Sequence, residues 1–321
     1  MLEQSEINFT VSVVIPAYNV AEYISKAIFS ALEQTEVFEV IVIDDGSTDT
    51  TLAIVKDIQK RESRVKVFQH DNGKNLGRSA SRNLGLSRAH GNYIAFLDAD
   101  DYYLENRFKE DSAILQADKS CDGIYNAVGF HFYRQVTALE ENKLKLNTVV
   151  KKLEPDELFD GIVSSKYGYL HLNGITIKKR VFDSIGFFNL ELVVAEDSDI
   201  IFKMALKSVM LPGILDRPVA NRGIHENNIF DNEYLYKTYT IKLYESLLLW
   251  SYSAQLSLKK KDTILKWLWF FKFRQGNSLG NNCIYWCIIV GREPRILLSK
   301  LCIKYFPIVR LRQSLFPFLF K

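Results

Sequence analysis

Cysteine is scarce in this chain of 321 residues. Cys121, Cys283, Cys287 and Cys302 contain no Cys-x-x-Cys pair and no secretory disulfide framework, which predicts free thiols in a reducing cytoplasm and implies no zinc site. Histidine is sparse too. His70, His90, His131 and His171 show no metal-ligand spacing, so structural roles are expected for these four. Nowhere do 18 uninterrupted apolar residues occur, and no membrane-spanning helix is expected. Residues 1–9 carry Glu3 and Glu6 and lack an apolar core, so no secretory leader is expected there. No Gly-x-Gly-x-x-Gly follows the first predicted strand, which removes a dinucleotide-binding oxidoreductase from consideration.

What is present reads as globular. With 47% hydrophobic and 25% charged residues, the chain suits one large or two modest packed domains. A net charge of +3 conceals an asymmetry. Residues 231–321 hold 15 Lys and Arg against 5 Asp and Glu, a balance of +10, whereas residues 1–230 carry −7.

Taken in order, Val11-Ser12-Val13-Val14-Ile15 reads as a strand stopped by Pro16. Asn19 and Glu22 then form a capping-box-like start to a helix whose Ile24, Ala27, Ile28 and Ala31 share one face. Residues 40–43 are a second strand running into Asp44-Asp45-Gly46-Ser47-Thr48-Asp49, which turns the chain into a helix bearing Leu52, Ile54, Val55 and Ile58. Residues 65–68 give a third strand. A glycine loop at 72–78 and a helix over 80–89 deliver the chain to Tyr93-Ile94-Ala95-Phe96-Leu97, a β-branched and aromatic run set off by Gly91-Asn92. This βαβαβαβ alternation predicts a parallel doubly wound sheet, in which ligands bind outside the carboxyl ends of the strands. Asp98-Ala99-Asp100-Asp101 stands at such an end. Carboxylates this crowded repel unless a cation lies among them, and Asp-x-Asp oxygens suit Mg²⁺ or Mn²⁺ shared with substrate phosphates. A solvated turn or helix cap is the alternative for one such cluster, but three acid- or turn-bearing strand ends converging in one crevice outweigh it.

The blocks VSVVIPAYN, VIDDGSTD, NLGRSASRNLG, FLDADD and AEDSD, in that order, resemble the signatures of glycosyltransferase family 2. The resemblance implies a GT-A fold over residues 1–230, with a doubly wound, mostly parallel sheet. It implies an inverting, metal-dependent hexosyltransferase. The donor would be a nucleoside-diphosphate sugar, with UDP the favoured nucleotide, and the acceptor a hydroxyl of a glycan or lipid-linked molecule in bacterial surface polysaccharide or lipopolysaccharide synthesis. By the same resemblance Pro16-Ala17-Tyr18 wraps the base, with Tyr18 offering an aromatic face, and Asp45, ahead of Asp44, hydrogen-bonds the ring N–H of a pyrimidine. Arg82 faces the diphosphate. Asp100 is the direct ligand of Mn²⁺ or Mg²⁺, Asp98 lies closer to the ribose or a metal-bound water, and Asp101 is left as a helix cap. Asp197 is the general base, with Glu196 orienting acceptor or base. His225, in Arg222-x-x-His225 where Arg-x-His is more usual, contacts diphosphate or metal.

Residues 122–133 alternate as a strand, Gly174-Ile175-Thr176-Ile177-Lys178 reads as a late strand, and residues 231–321 as a helical, basic, amphipathic extension. Its helix near Tyr234 to Leu256 carries Leu243, Leu247, Leu248 and Trp250. The run Trp267 to Arg274 and the tail from Ile296 mix aromatics with cations, which suits an anionic membrane surface, with Trp267 and Trp269 in the interface. A peripheral position on the cytoplasmic face of the membrane is expected, a packed appendage being the alternative. No recognition motif points to nucleic acid. Two rival readings concern Asp98-Ala99-Asp100. A haloacid-dehalogenase-like phosphatase needs Thr or Val where Tyr102 stands, and usually carries its motif on the first strand. A non-catalytic nucleotide-sugar-binding scaffold has no need of Asp197.

Overall fold

A computed structural model describes residues 9–226, 233–273, 275–310 and 317–319. Expectations for residues 1–8, Asn227, Asn228, Arg274, 311–316 and 320–321 lie outside the described residues. The chain forms two compact units, Met1–Asp231 and Asn232–Lys321.

The first unit runs β1 (Val11–Ala17), α1 (Ile24–Leu32), β2 (Val37–Asp44), α2 (Thr51–Arg61), β3 (Val65–Gln69), α3 (Arg78–Arg88) and β4 (Tyr93–Phe96). It continues with β5 (Tyr102–Tyr103), α4 (Lys109–Ala117), β6 (Gly123–Tyr125), β7 (Val128–Phe132), α5 (Ala138–Lys143) and α6 (Pro155–Val163). It closes with β8 (Ile175–Lys178), α7 (Val181–Ile185), α8 (Glu196–Lys207), β9 (Met210–Pro212) and β10 (Ala220–Ile224). Seven strands form one sheet in the order β3-β2-β1-β4-β8-β6-β9, and only β8 runs against the rest. The chain steps outward from β1 to β3 and then returns to β4 on the other side of β1. That reversal of order is the switch point at which an open α/β sheet leaves a crevice.

Helices cover both faces, so β1 is buried almost throughout. Val11, Val13, Ile15 and Ala17 pack with Ile24, Ala27, Ile28 and Ala31 of α1. On the opposite face α3 approaches so closely that a Cβ on Gly85 would lie 2.3 Å from Val14 Cγ1. Only glycine admits that approach.

Two expectations are corrected. Asn19 does not cap α1, whose N-cap is Tyr23 without a side-chain bond. Asn19 has φ 51° and its side-chain oxygen accepts from Thr48 N–H at 2.8 Å, so it ties the loop after β1 to the loop after β2. Residues 122–133 are not one strand but two, β6 in the large sheet and β7 in a small sheet of order β5-β10-β7. The chain changes sheets at buried Asn126, whose amide donates to Asp111 and to the Gly174 carbonyl while its oxygen accepts from Ile214 N–H.

The second unit is helical: α9 (Glu233–Ser253), α10 (Leu258–Phe273), α11 (Leu279–Arg292), α12 (Lys300–Tyr305) and α13 (Pro307–Arg310). Leu247, Leu248, Ile264, Leu265 and Leu268 are buried within it. Trp269 joins them at 1% exposure, its ring 5.1 Å from Phe273 and 5.5 Å from Tyr285. The expectation of Trp269 at a membrane interface is therefore corrected, because aromatic neighbours from α10 and α11 enclose it. Among the described residues no helix is long and apolar enough to cross a membrane.

Candidate active site

The acidic turn begins where β4 ends. Asp98 accepts from Arg82 Nη2 at 2.7 Å, and Arg82 Nη1 reaches Glu196 Oε1 at 2.8 Å. Arg82 is buried, and its guanidinium joins two carboxylates from distant parts of the chain. Burial works most strongly, to raise the Asp98 carboxyl, but the charge and hydrogen bond of Arg82, together with His171 and Arg78, outweigh it and hold the group well below the usual carboxylate range. Burial likewise opposes the charged form of Arg82, and Asp98 and Glu196 more than restore it.

Asp101 is no helix cap, since β5 follows it directly. Its carboxylate is buried and accepts from Gly223 N–H of β10 at 2.7 Å and from the amide of Asn173. Burial, then the nearby charges of Asp100 and Asp98, push its carboxyl well above the usual range. Asp100 pairs with His225 Nε2 at 2.9 Å, and the His225 ring stacks on Tyr23 with centroids 5.0 Å apart. His171 completes the surroundings. Burial first, and Arg222 second, lower its imidazole to about 3, and Nδ1 of the ring accepts from Asn173 N–H at 3.3 Å. Ligand atoms of Asp98, Asp101 and His171 all lie within 4.8 Å of one another.

The loops beside this turn hold one another. Pro16 and Ala17 end β1, and the Ala17 carbonyl accepts from Asp45 N–H at 2.8 Å. Tyr18, the next residue, is 48% exposed and leaves an aromatic face available. The Asp45 carboxylate is buried and accepts from Leu76 N–H at 2.8 Å and Gly77 N–H at 2.9 Å. Its demonstrated contacts therefore fasten the glycine loop at the start of α3. Asp44 is also buried and accepts from Gln69 at 2.9 Å. Arg78, the first residue of α3, is more exposed than Arg82, and its Nε lies 3.1 Å from Glu196 Oε1.

Glu196 and Asp197 open α8. Ala195 precedes them with φ 64°, a left-handed conformation uncommon outside glycine and asparagine. Glu196 is buried, and burial followed by the charge of Asp197 raises its carboxyl although Arg82 and Arg78 pull it down. Asp197 is half-buried, and its Oδ1 accepts from Ser198 N–H at 2.7 Å.

The sequence profile described as Glycosyl transferase family 2 matches residues 12–155. Residues 12–155 are a glycosyltransferase family 2 domain. An uncharacterized glycosyltransferase of Haemophilus influenzae is 34% identical over 152 residues, covering 47% of this chain and 57% of the relative. A hyaluronan synthase of Pasteurella multocida is 43% identical over 104 residues, 32% of this chain and 10% of its own length. The chain thus matches little more than half of the one relative and a small part of the other. S. aureus TarS 1-349, solved in complex with UDP-GlcNAc, superposes with a TM-score of 0.61 at 23% identity, covering 83% of this chain and 73% of that one. The fold is GT-A.

Within this glycosyltransferase domain and the strands that complete its sheet, the structure brings Asp98, Arg82 and Glu196 into one chain of contacts and Asp100 against His225. It does not leave Arg82 open toward a ligand. Sequence reasoning gave Asp101 and His171 other roles and did not single out Asn173. Their only signal is position: β8 pairs antiparallel with β4, Ala95 opposite Thr176, so residues just before β8 lie beside the end of β4.

Replacing Arg82 by Met leaves the Asp98 carboxylate without its ion pair and Glu196 with only the more exposed Arg78. The variant should lose about 3–5 kcal/mol of stability near neutral pH, the cost of breaking a buried pair. Without the cation both folded carboxyls titrate above their unfolded values. Their penalty is therefore present at neutral pH and relieved as pH falls toward about 4, where they take up protons. Chemical denaturation of wild type and Arg82→Met at both pH values checks this, and a deficit independent of pH would exclude ion pairing as its cause.

Proposed function

We propose that the chain is an inverting glycosyltransferase that moves a sugar from a UDP-sugar to a hydroxyl of a glycan or lipid-linked acceptor. The observation carrying this reading is the bridge Asp98–Arg82–Glu196, which ties the acidic strand end to the helix start bearing Asp197. The family 2 domain and the fold shared with a protein solved with UDP-GlcNAc support a nucleotide-sugar donor. The hyaluronan synthase relative supports a glycan product.

In this reading Tyr18 stacks on the base, and Asp45 orders the loop while keeping lone pairs for a ring N–H. Arg78 and the first amides of α3 face the diphosphate, the contact that the family resemblance assigned to Arg82. The acidic turn fits a divalent cation, since the Asp98, Asp101 and His171 ligand atoms converge within 4.8 Å and Asp100 stands in the same turn against His225. Oxygen-rich donors of this kind suit Mn²⁺ or Mg²⁺. Bound there, the cation supplies Lewis-acid neutralisation of charge on departing UDP. Asp197 accepts the proton of the acceptor hydroxyl as that oxygen bonds to the anomeric carbon. The bond from that carbon to UDP breaks on the opposite side, its electron pair leaves with the diphosphate, and configuration inverts. Glu196, balanced by Arg82 and Arg78, holds the start of α8 in place.

Two measurements test the site. Calorimetry should give tight UDP binding with MnCl₂, weakened sharply by EDTA or by Asp100→Ala, and equal affinity in all three cases would remove the cation from the reading. Asp197→Asn should keep UDP affinity while transfer falls by about 10²- to 10⁴-fold, the contribution of a positioned base. Wild-type turnover in that variant would move the role elsewhere.

For the second unit the reading is peripheral docking on an anionic membrane at the cytoplasmic face, where a lipid-linked acceptor resides. The +10 balance of residues 231–321 supports this, as do the exposed Ile284 and Ile288 one turn apart on α11 and exposed Leu297, Leu298 and Ile303 beyond it. The full chain should float with anionic vesicles at low salt, lose part of that binding as salt shortens the Debye length to about 8 Å, and bind less as Ile284→Ser/Ile288→Ser. A full chain unbound at low salt would make these residues an oligomer or packing surface.

A further inference from the structure

Asn173 joins two residues of the acidic turn, Asp98 and Asp101, to two neighbours outside it, His171 and Arg107. It is wholly buried in the 3-10 turn Leu172–Gly174 that precedes β8. Its side-chain oxygen accepts from Asp98 N–H at 3.3 Å, and its side-chain nitrogen donates to Asp101 Oδ2. Its own N–H donates to His171 Nδ1 at 3.3 Å, and its carbonyl accepts from Arg107 Nε at 3.1 Å. Arg107 is in turn buried and paired with Asp111 at 2.7 Å, and Asp111 also accepts from Asn126 and Thr176. The residue is thus anchored from behind by a buried polar network while its carboxamide bridges the Asp98 N–H and the Asp101 carboxylate.

We propose that Asn173 is a positioning residue whose carboxamide sets the spacing between the Asp98 backbone and the Asp101 carboxylate, so that the acidic turn is arranged for a divalent cation before the cation arrives. The purpose rests on the cation reading given above; the geometry does not. Asp98 presents a donor and Asp101 an acceptor, so the bridging side chain must carry one acceptor and one donor on a rigid group and no charge. Aspartate at this position would set an acceptor against the Asp101 carboxylate. Alanine would leave the Asp98 N–H and one oxygen of the Asp101 carboxylate without the partner that Asn173 supplies, in a buried place. Glutamine is longer by a methylene, which a close-packed interior does not absorb without movement. Groups of this kind behind metal ligands typically carry about 10- to 100-fold in metal affinity or activity.

Hydrogen–deuterium exchange on the full chain without metal, compared for wild type, Asn173→Ala and Asn173→Asp, reads the positioning directly. Both variants should exchange about tenfold faster in peptides covering residues 97–103 and 220–225, the equivalent of one lost charged hydrogen bond. Peptides covering β1 and β2 should be unchanged. With UDP fixed, the MnCl₂ concentration for half-saturation should rise about 10- to 100-fold in both variants, while UDP affinity in EDTA stays at the wild-type value. Unchanged exchange in the acidic turn overturns the proposal. Equal acceleration throughout the sheet, or equal loss of UDP binding in EDTA, reduces Asn173 to general support and overturns it as well. A wild-type chain whose UDP binding ignores Mn²⁺ overturns the cation reading, and the exchange comparison then decides whether Asn173 holds the turn.

Discussion

Three carboxylates within four residues repel one another at the end of β4, and much of the first unit is arranged to contain that repulsion. Two like charges about 4 Å apart cost on the order of 4 kcal/mol at the effective dielectric of a protein surface. Each acid is contained differently. Asp98 has a full cation in Arg82, Asp100 has the imidazole of His225, and Asp101 has the neutral donors of Gly223 and Asn173 with the charge of Arg222 acting on it. The least compensated carboxyl is the buried Asp101, the one pushed well above its ordinary range. A site balanced in this way needs further positive charge to be fully relieved, which is the electrostatic condition for cation binding.

The containing groups arrive through features of the topology that a purely parallel sheet would not supply. In a parallel neighbour, residues preceding the strand lie at the edge opposite the crevice. Because β8 runs against β4, residues 171–173 instead lie at the crevice edge, beside Asp98. The small sheet does the same from the other side: β10 pairs with β5, immediately after the acidic turn, and so brings Gly223 and the following His225 to Asp101 and Asp100.

The GT-A class was legible because its signal is repetitive: each parallel strand is a nearly continuous apolar run and each strand end changes abruptly to acids, glycine or asparagine. The partners of those acids were harder to read. Ile175-Thr176-Ile177-Lys178 is equally apolar in either direction, so its reversal, and with it the approach of His171 and Asn173, left no mark in periodicity. Arg78 and Arg82 lie one turn apart on the same helical face, and spacing does not say which goes deeper. The same limit applies to Trp269, whose neighbour Trp267 is only half-buried; aromatic and basic composition records that a helix has an apolar side without recording what covers it.

Asp45 connects the loops to the acids. By accepting from Leu76 and Gly77 it fixes the chain at the entrance to α3, and one turn further on the same helix carries Arg82 into its bridge with Asp98 and Glu196. Asn19, held left-handed, ties the loop after β1 to the loop after β2. A displacement of the glycine loop would therefore be passed along α3, a rigid element, to a buried guanidinium that has no room to follow without unpairing a carboxylate. The loops at the mouth of the crevice are thus kept in register with the acids at its floor by short polar contacts anchored on buried groups, and preorganisation of that kind lowers the ordering cost that binding would otherwise impose.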